Sequence, residues 1–416
     1  MKRIVCLILF SIGCSFSEPI LITGRMIPRL LKQPVSAIRL INHQGIAIPF
    51  QIDERDSTGE YILPSGKEQN AAHSNHVLDS ADEIVFLFDD ADTLTRTDSA
   101  DLHTSTISLS RNQSMRFVWA TADSAIALSP RSYINYNPAS QTVTTPLYYA
   151  VFGPNRFHFL RAGIFDATQR RYIDLTAELR IRIQLRALWG LISIAYTEES
   201  MICTVKRYKA GPLRLIRRGD FHLNLGLWVE GSRAAVQQIC YRDMVSVPVY
   251  AKLPIRLKTL FKVAYLEMAP QLNRLARTYQ FEVPRYDLRI PLDKDAGDTL
   301  ISQLPDHTAF TVHNGALGYG WLLNTSIQEH FLKTSGYIVS RKPRHSDSTI
   351  GFAGFRIALT DLPAGSYLFS NWVYFSSSGP SGLQQAAQCI QNPIQIMVDS
   401  KAAGFNLLSD PPLPRR

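Results

Sequence analysis

The sequence is poor in cysteine and has no hydrophobic run of membrane length. Five of its 416 residues are cysteines, and two of these, Cys6 and Cys14, lie in the N-terminal stretch discussed below. The other three, Cys203, Cys240 and Cys389, are an odd number, so they can form one disulfide at most and no disulfide framework. No stretch after residue 17 has the roughly 20 consecutive apolar residues of a membrane-spanning helix. Stability must therefore come from hydrophobic cores, and we expect no transmembrane segment in the mature chain.

The sequence also lacks the short motifs of the common catalytic sites. It contains no HExxH, no GxSxG, no P-loop and no CxxC. The glycines between residues 315 and 320 lack the spacing and the strand-helix context of a dinucleotide-binding loop. His345 and Asp347 are close in sequence, but sequence proximity does not make a catalytic triad. A pair of glycosidase carboxylates needs no motif, so enzymatic activity stays open although the sequence leans against it.

The N-terminus predicts export. Lys2 and Arg3 precede an apolar run that ends at Phe16 and is too short to span a bilayer. Small residues at positions 15 and 17 fit a signal peptidase site, so residues 1–17 form the predicted signal peptide, with cleavage before Glu18. The alternative is a lipoprotein signal that tethers the chain to a membrane through Cys14. Either way, we expect a protein of the periplasm or the extracellular space.

Charge is unevenly distributed along the chain, which carries a formal net charge of +9. Residues 18–104 contain 14 acidic and 7 basic residues, whereas residues 156–294 contain 24 basic and 12 acidic ones. Modules of opposite charge often face each other or a charged partner. We therefore predict that the acidic N-terminal module docks on the basic middle domain. Nucleic acid is not an expected partner of an exported protein, and nothing in the sequence indicates the oligomeric state.

Hydrophobic alternation with a period of two recurs through the chain and indicates β-strands. It is clearest in Glu178–Leu188 and Asp220–Glu230, and it also marks Ile46–Ile52, which is predicted to form a hairpin with Ala37–Asn42 around Gly45. Ile84–Phe88 is a continuous apolar run, typical of a strand covered on both faces. The predicted fold is mainly β, with two or more antiparallel β-sandwich-like domains and little helix. Further predicted strands are Pro19–Ile22, Met115–Ala120, Ile239–Tyr250, Ile255–Met268, Ala309–His313, Tyr319–Leu323, Gly336–Ser340, Phe352–Leu359 and Tyr367–Ser376, and the short predicted helices are Ile327–Lys333 and Gly382–Cys389.

These patterns divide the chain into six predicted segments. After the signal peptide come an acidic N-terminal β-module (18–125) and a linker or long loop (126–146) rich in Ser, Thr, Asn and Pro. A basic β-sheet domain (147–300) follows. A C-terminal β-region (301–400) is expected to pack on that middle domain, and a flexible tail (401–416) ends the chain.

The acidic residues before and within Ile84–Phe88 suggest a cation site, because calcium prefers several carboxylate oxygens. The candidate ligands are Asp79, Asp82 and Glu83. Counted back from Glu83, however, the loop lacks the Asp, Asn and Gly residues of an EF-hand. His73 and His76 continue a spacing of three with the two aspartates, which would suit a transition metal only on a helix. We therefore favour a solvated acidic loop and expect no cofactor, with a calcium ion as the weaker alternative.

The strongest candidates for ligand binding lie in the two strands of clearest alternation. Arg180 and Arg182 follow each other on one face, where their guanidinium groups could bind carboxylates or sulfates. His222 and Trp228 lie on the second strand, and the indole could offer a flat surface to a sugar ring. The structural alternative is that the arginines pair with neighbours such as Glu178 and that the tryptophan packs in a core.

Four segments also carry a resemblance to a known family. IPFQIDERD (48–56) is followed by DEIVFLFDDA (82–91), and KAGPLRLIRRGDFHLNLG (209–226) is followed by ICYRD (239–243). Together they resemble an uncharacterised family of exported bacterial β-rich proteins that begin with a VPFQIDE-type hairpin and a DELVF-type strand. The resemblance spans most of the mature chain and implies a β-rich fold, but it brings no assigned activity. In that family the loop before DELVF is often richer in Asp, Asn and Gly, so His73, Ser74 and His76 here argue further against a metal.

The sequence therefore supports two functional hypotheses. The first is an exported, non-enzymatic β-rich protein that binds an envelope or extracellular glycan or a protein partner. The alternative is a polysaccharide-active enzyme, a lyase or a glycoside hydrolase, with its site on the basic middle sheet around Arg180, Arg182, His222 and Trp228. The two differ in whether these four side chains converge in one cleft.

Overall fold

The computed structural model describes residues 16–94, 104–111, 114–153, 158–187, 191–197, 203–222, 233–253, 256–283, 287–292, 297–304, 309–325, 333–340, 349–399 and 401–403. These residues form 28 strands and one α-helix, so the prediction of a mainly β, antiparallel fold with little helix is confirmed. None of the described helices is long and apolar enough to span a membrane.

The strands of the N-terminal third are short. They are β1 (Pro19–Thr23), β2 (Ile38–Ile41), β3 (Phe50–Asp53), β4 (Ser65–Gly66), β5 (Glu83–Leu87), β6 (Ser105–Arg111), β7 (Ser114–Ala122), β8 (Asn135–Asn137), β9 (Thr142–Thr144) and β10 (Tyr148–Phe152). Single 3-10 turns lie at Gly24–Met26, Pro28–Leu30, Val35–Ala37, Ala71–His73 and Phe88–Asp90.

The middle of the chain has longer strands. They are β11 (Phe159–Asp166), β12 (Arg171–Ala187), β13 (Ile192–Thr197), β14 (Cys203–Ala210), β15 (Arg214–His222), β16 (Arg233–Tyr241), β17 (Met244–Leu253), β18 (Phe261–Asn273), β19 (Gln280–Val283) and β20 (Leu288–Pro291). Two 3-10 segments flank β18, at Leu257–Thr259 and Arg274–Thr278.

The last third contains eight strands and the helix. They are β21 (Gly297–Leu304), β22 (Ala309–His313), β23 (Gly318–Thr325), β24 (Lys333–Ser340), β25 (Thr349–Ala358), β26 (Gly365–Ser376), α1 (Gly379–Gln391), β27 (Gln395–Val398) and β28 (Lys401–Ala403). The predicted helix at Gly382–Cys389 is confirmed, because it lies within α1.

The strands form four sheets. Sheet I has the order β21-β24-β25-β18-β12-β11-β10-β9-β8, with β13 paired to β12, and sheet II has the order β20-β19-β22-β23-β26-β17-β16-β15-β14-β4. Sheet III is β1-β5-β3, and sheet IV is β2-β7-β6-β27-β28. The C-terminal strand β27 thus joins the sheet built from the N-terminal strands β6 and β7.

Three hydrophobic cores stack these sheets in the order I, II, III, IV. The first core joins sheets I and II through side chains such as Phe355 and Trp321, whose rings meet edge to face at 5.9 Å. The second core holds sheet III and α1 against the other face of sheet II. The third core lies between sheets III and IV. Sheet II is therefore covered on both faces, whereas the outer face of sheet I is not covered by any of the other three sheets.

The continuous apolar run at Ile84–Phe88 is explained by this stacking. It forms most of β5, which lies between β1 and β3 in the middle of sheet III. Val85 and Leu87 point into the second core, while Ile84 and Phe86 point into the third. The prediction of a strand covered on both faces is confirmed.

The hairpin predicted between Ala37–Asn42 and Ile46–Ile52 forms only around its turn, where the Asn42 N–H donates to Ile46 and the Ile48 N–H donates to Leu40. The two segments meet only near their turn, where Ile41 and Ala47 form an isolated bridge and Gly45 takes a φ of 79°. Beyond it, β2 pairs with β7 in sheet IV and β3 pairs with β5 in sheet III. Pro49 lies between the bridge and β3, where the chain passes from sheet IV to sheet III.

At several other places the local structure differs from the one predicted from the sequence. The segment predicted as a linker carries β8 and β9 at the edge of sheet I. Residues 257–259, predicted as part of a strand, form a 3-10 turn before β18. At the predicted signal boundary, Phe16 and Ser17 are both buried, and the Ser17 N–H donates to Asp243 at 2.7 Å. Residues 1–15, 223–230, 327–332, 345–347 and 404–416, on which other expectations rest, lie outside the described residues.

Candidate functional site

The acidic and basic segments that carry the family resemblance meet in a buried ionic network between sheets II and III. Arg214 of β15 donates from Nε to Asp53 at 2.7 Å and from Nη2 to Glu83 at 2.6 Å. Lys209 lies 3.0 Å from the second oxygen of Asp53, and Arg55 pairs with the second oxygen of Glu83. The prediction that the acidic module docks on the basic part of the chain is confirmed at this contact.

The charges in the network hold one another ionised despite their burial. Burial alone would raise the pKa of Asp53, but Lys209 and Arg214 outweigh it and lower that pKa to about 2. The pKa of Glu83 is also lowered, because Arg214 and Arg55 overcome the cost of burying its charge. Arg214 itself is 0% exposed, so no substrate can reach it. The network joins two parts of the fold and is not an open site.

Gln51 extends this network to the backbone. Its side-chain oxygen accepts the N–H groups of Leu213 and Arg214 at 3.2 and 3.0 Å, and its amide nitrogen donates to both oxygens of Asp53. A Cβ built on Gly211 would lie 2.1 Å from the Gln51 oxygen. Gly211 therefore leaves the space that the Gln51 amide occupies.

The three predicted calcium ligands accept hydrogen bonds from different protein groups. Asp79 accepts from Lys32 and from Asn75. Asp82 accepts the backbone N–H groups of residue 55 at 2.8 Å and residue 79 at 2.6 Å, and Glu83 belongs to the buried network. Within the described ranges, no three His, Cys, Asp or Glu side chains are grouped as a metal site would need.

The four predicted ligand-binding residues do not lie on one sheet. Arg180 and Arg182 are exposed on the outer face of β12 in sheet I. His222 ends β15 in sheet II, across the first core from that face. Trp228 falls outside the described residues, so its contribution stays a prediction. The structure thus brings the two arginines together and separates His222 from them.

The two arginines lie on the outer face of sheet I. Leu179 and Ile181 alternate with them and point into the first core, so the even-numbered residues of β12 face outward. Strand register places four rows of residues side by side across β12, β18, β25 and β24. The rows are Gln184, Tyr265, Ala358 and Lys333; Arg182, Glu267, Arg356 and Ser335; Arg180, Ala269, Gly354 and Tyr337; and Glu178, Gln271, Phe352 and Val339.

Glu267 lies in the middle of this face and is only 5% exposed. It accepts from Nε of Arg356 at 2.7 Å and also from the Nη2 group of the same guanidinium. Arg356 in turn lies over the ring of Tyr265, with its guanidinium carbon 4.8 Å from the ring centre. Both N–H groups donate to the same oxygen, Oε1, which fixes the position of the carboxylate.

Two small residues lie side by side next to Glu267. Ala269 and Gly354 are neighbours across β18 and β25, and a Cβ on Gly354 would lie 2.0 Å from the Met268 carbonyl oxygen. No side chain fits at position 354 without moving the backbone. Arg180 lies in the same row, and its guanidinium carbon is 4.9 Å from the centre of the Phe352 ring on β25.

A second ionisable pair lies at the β11 side of the same face. Nε2 of His158 is 3.4 Å from Glu178, and the histidine side chain is 5% exposed. Glu178 and Glu267 are two rows apart on neighbouring strands, so their Cα atoms are separated by about 14 Å at 3.3 Å per residue. The paired carboxyl groups of glycosidases lie roughly 5 to 9.5 Å apart, so this backbone spacing does not favour that pair.

Sequence reasoning missed Glu267, Arg356 and Phe352. Their strands were predicted, as Ile255–Met268 and Phe352–Leu359, but a strand pattern does not show which distant strand is its neighbour. The only available signal was polar residues on the outward positions of otherwise apolar strands.

Comparisons with known proteins agree with the fold. No family model and no curated protein matches the chain. A glycosyl hydrolase family 38 protein from Enterococcus faecalis matches with a TM-score of 0.51 at 9% identity, over 95% of this chain and 47% of the other. An α-mannosidase from Enterococcus faecalis gives a TM-score of 0.49 at 9% identity, over 95% and 46% of the two chains. A galactose mutarotase related enzyme from Lactobacillus acidophilus gives 0.38 at 6% identity, over 57% and 98%.

The similarity to the family 38 protein concerns the fold only. The chain spans about half the length of the two Enterococcus structures. At such identity the first match shows a shared β-rich fold and nothing about activity, and the other two scores are too low to support an argument.

Proposed function

We propose that this protein is an exported carbohydrate-active enzyme that acts on polysaccharide at the outer face of sheet I. This is the enzymatic alternative that the sequence left open. The proposed site keeps strand β12, with Arg180 and Arg182, and no longer includes His222. The Enterococcus structure that shares the fold is described as a glycosyl hydrolase family 38 protein, which supports a carbohydrate substrate. Because this chain spans only about half of that structure, the activity is argued from the residues of the face itself.

The observation that carries the proposal is Glu267. A carboxylate that is only 5% exposed is costly unless it is paired. Here Arg356 pairs with it through two bonds, and Tyr265, Arg182 and Ala269 surround it in the register. A folded protein gains little stability from such an arrangement, so a role in binding or proton transfer accounts for it better.

The reaction class that fits best is chain cleavage without a two-carboxylate mechanism. The backbone spacing of Glu178 and Glu267 argues against paired glycosidase chemistry. Elimination needs a base, a group that stabilises developing negative charge, and a proton donor. Glu267 as the base, the arginines of β12 for the developing charge, and Tyr265 as the proton donor are groups of these types on one face. A lyase is therefore favoured over a hydrolase.

The test is an activity screen on the purified full chain. Neutral and acidic polysaccharides are incubated with the protein, and new reducing ends and unsaturated products are measured. Removing a catalytic acid-base group typically costs about a hundredfold or more in rate, so we expect Glu267→Gln to lower kcat/KM by at least that factor. Glu282→Gln is the matched control, because Glu282 is also buried and paired, with His313 at 2.8 Å, but belongs to sheet II.

Each outcome is decisive. Cleavage that Glu267→Gln abolishes and Glu282→Gln leaves intact supports the proposal. Binding of glycans without any cleavage would instead support the non-enzymatic glycan-binding protein that the sequence favours. Neither binding nor cleavage of any polysaccharide would leave a protein partner as the remaining reading and would end the carbohydrate proposal.

A further inference from the structure

We propose that one end of sheet I is a docking surface for an anionic phospholipid membrane. The apolar contact side chains are Leu191, Ile192 and Leu260, hereafter the apolar tip, and basic side chains surround them. The inference goes beyond the proposed function and does not depend on it, because it concerns the end of sheet I rather than its outer face and its test measures binding to lipid.

Strand register brings the three apolar residues to the same end of sheet I. Ile192 begins β13 and pairs with Ala187, the last residue of β12, which pairs on its other side with Phe261, the first residue of β18. Leu191 directly precedes Ile192, and Leu260 directly precedes Phe261. Because neighbouring strands are about 4.8 Å apart, the beginnings of β13 and β18 lie about 10 Å from each other across β12.

The side chains of the apolar tip are open to solvent. Leu191 is 85% exposed, and Ile192 and Leu260 are each 42% exposed. Among the residues that the structure describes, eight large apolar side chains are this exposed, and three of them lie together here. Single exposed apolar residues are ordinary on protein surfaces, whereas a cluster with a polar rim is typical of an interaction surface.

The apolar tip is held by a small hydrophobic core next to it. Leu257 and Phe261, which flank Leu260, are buried in this core with residues of β12. The N–H of Leu260 donates to the Leu257 carbonyl oxygen at 3.0 Å and closes the turn before β18. Ile192 stands opposite Ala187, which belongs to the same core. The exposed apolar surface therefore rests on a packed framework and needs little ordering when it binds.

Four exposed basic side chains lie around the apolar tip, each within a few positions of its residues along the chain or in the register. They are Arg186, Arg256, Lys258 and Lys262. Lys258 is 3.3 Å from Asp361. Within the described ranges the other three make no ion pair, so their positive charge is not offset by a neighbouring carboxylate. An anionic surface complements this charge.

A membrane fits this combination better than a protein partner does. Three exposed apolar side chains are far fewer than the roughly 20 to 30 residues that each partner contributes to a stable protein interface, and lysine is depleted at the centre of such interfaces. At a membrane surface, apolar side chains enter about 5 to 10 Å into the headgroup boundary while Lys and Arg meet anionic headgroups. In a pair of identical chains, the basic side chains around the two tips would repel each other.

Vesicle binding by the purified full chain tests the inference. Vesicles of phosphatidylcholine alone are compared with vesicles of phosphatidylcholine and phosphatidylglycerol in equal parts, and bound protein is measured by co-sedimentation. Each Lys or Arg at an anionic surface adds roughly fivefold in affinity, so we expect at least about tenfold tighter binding to the anionic vesicles. The difference should shrink as the salt concentration rises, because salt screens the charges.

Two variants separate the apolar contact from the charge. Leu191→Ser removes the most exposed apolar side chain and should weaken binding to the anionic vesicles about tenfold. Its matched control is Leu128→Ser, because Leu128 is 59% exposed but lies in the loop between β7 and β8. Lys262→Gln should weaken binding to the anionic vesicles about fivefold. Its matched control is Arg171→Gln, at an exposed position at the other end of β12.

The pattern of losses decides the inference. Weaker binding in Leu191→Ser and Lys262→Gln, with both controls at the level of the parent protein and all four circular dichroism spectra unchanged, supports the docking surface. No binding to the anionic vesicles, or equal losses in Leu191→Ser and Leu128→Ser, would overturn it. A dimer in sedimentation velocity that Leu191→Ser dissociates would assign the apolar tip to a second copy of the chain and would also overturn it.

Discussion

Arg214 donates its Nε–H to Asp53 at 2.7 Å across 161 residues of sequence, and the two side chains are 0% and 1% exposed. This pair joins the basic strand β15 to the acidic strand β3. A buried ion pair stabilises a fold only when its remaining bonding groups are satisfied. Glu83, Lys209 and Gln51 satisfy them here, so the two segments of the family resemblance form one structural unit.

The first prediction concerns the loss of the central arginine. Arg214→Met leaves the carboxylates of Asp53 and Glu83 buried without their main partner, which should lower the free energy of unfolding by about 3 to 5 kcal/mol. Urea denaturation followed by circular dichroism measures it. Arg171→Met, at an exposed position of β12, should change the stability by less than about 1 kcal/mol. Equal effects of the two substitutions would contradict a structural role for the network.

The second prediction concerns the space beside Gln51. In Gly211→Ala, the new methyl group would lie 2.3 Å from the Gln51 side-chain carbon, so the amide must give up its bonds to residues 213 and 214. Breaking buried hydrogen bonds should cost about 1 to 3 kcal/mol. The matched control is Gly365→Ala, where the nearest atom to a Cβ is the Tyr367 hydroxyl oxygen at 3.6 Å. Unchanged unfolding of Gly211→Ala would mean that Gln51 can relocate without loss.

Local patterns in the sequence were sufficient to predict the strands, but they did not predict which strands pair with each other. The alternation in Glu178–Leu188 gave the two faces of β12, and the apolar run at Ile84–Phe88 gave a strand buried on both sides. These depend on the period of two in side-chain direction, which a single segment displays. The predicted hairpin between β2 and β3 stops after its turn, because β2 pairs with β7 and β3 pairs with β5, so tertiary pairing overrides local proximity.

The candidate site depends on contacts that no single segment displays. Glu267 and Arg356 are 89 residues apart, and they meet because β18 and β25 are adjacent in sheet I. The predicted partner His222 lies on a strand with the same kind of alternation, but in the other ten-stranded sheet. Alternation predicts which face a residue takes and not which sheet its strand joins.

The third prediction concerns the cysteines. Cys203, Cys240 and Cys389 are all free and buried, and burial raises the pKa of the first two thiols to about 12 and of the third to about 11. Because the thiolate is the reactive form, we expect no labelling of these three residues by alkylating reagents in the native protein and full labelling in urea. Peptide mapping by mass spectrometry measures each cysteine separately. A disulfide-linked peptide from the native protein would contradict the prediction.

The fourth prediction concerns calcium. Asp79 accepts from Lys32 and Asn75, Asp82 from backbone N–H groups, and Glu83 from Arg214, so a calcium ion would have to displace these donors. We therefore expect the same Tm in excess EDTA and in excess calcium, as differential scanning calorimetry would measure. A Tm that rises with calcium in the parent protein and not in Asp82→Asn would establish a site that the present contacts do not anticipate.

The last prediction concerns pH and the contact between the two ends of the chain. Glu18 accepts from Arg111 of β6 and from the backbone N–H of residue 394, which follows α1. Burial raises the pKa of Glu18 from 4.5 to about 7, although the charge of Arg111 opposes the rise. The folded protein therefore keeps a proton on this carboxyl group in a pH range where the unfolded chain has released it.

The sign of the effect follows from that difference. Stability from this group is fully present below pH 4.5, and it is lost as the pH rises to about 7. At 1.4 kcal/mol per unit of pKa, the loss is about 3 kcal/mol. Glu18→Gln cannot titrate, so its free energy of unfolding should fall less than that of the parent protein over this range. Glu68→Gln, which removes a surface partner of Lys206, should leave the pH profile unchanged. Parallel profiles for the parent protein and Glu18→Gln would show that Arg111 keeps Glu18 ionised, and that the two ends of the chain are joined by a permanent ion pair.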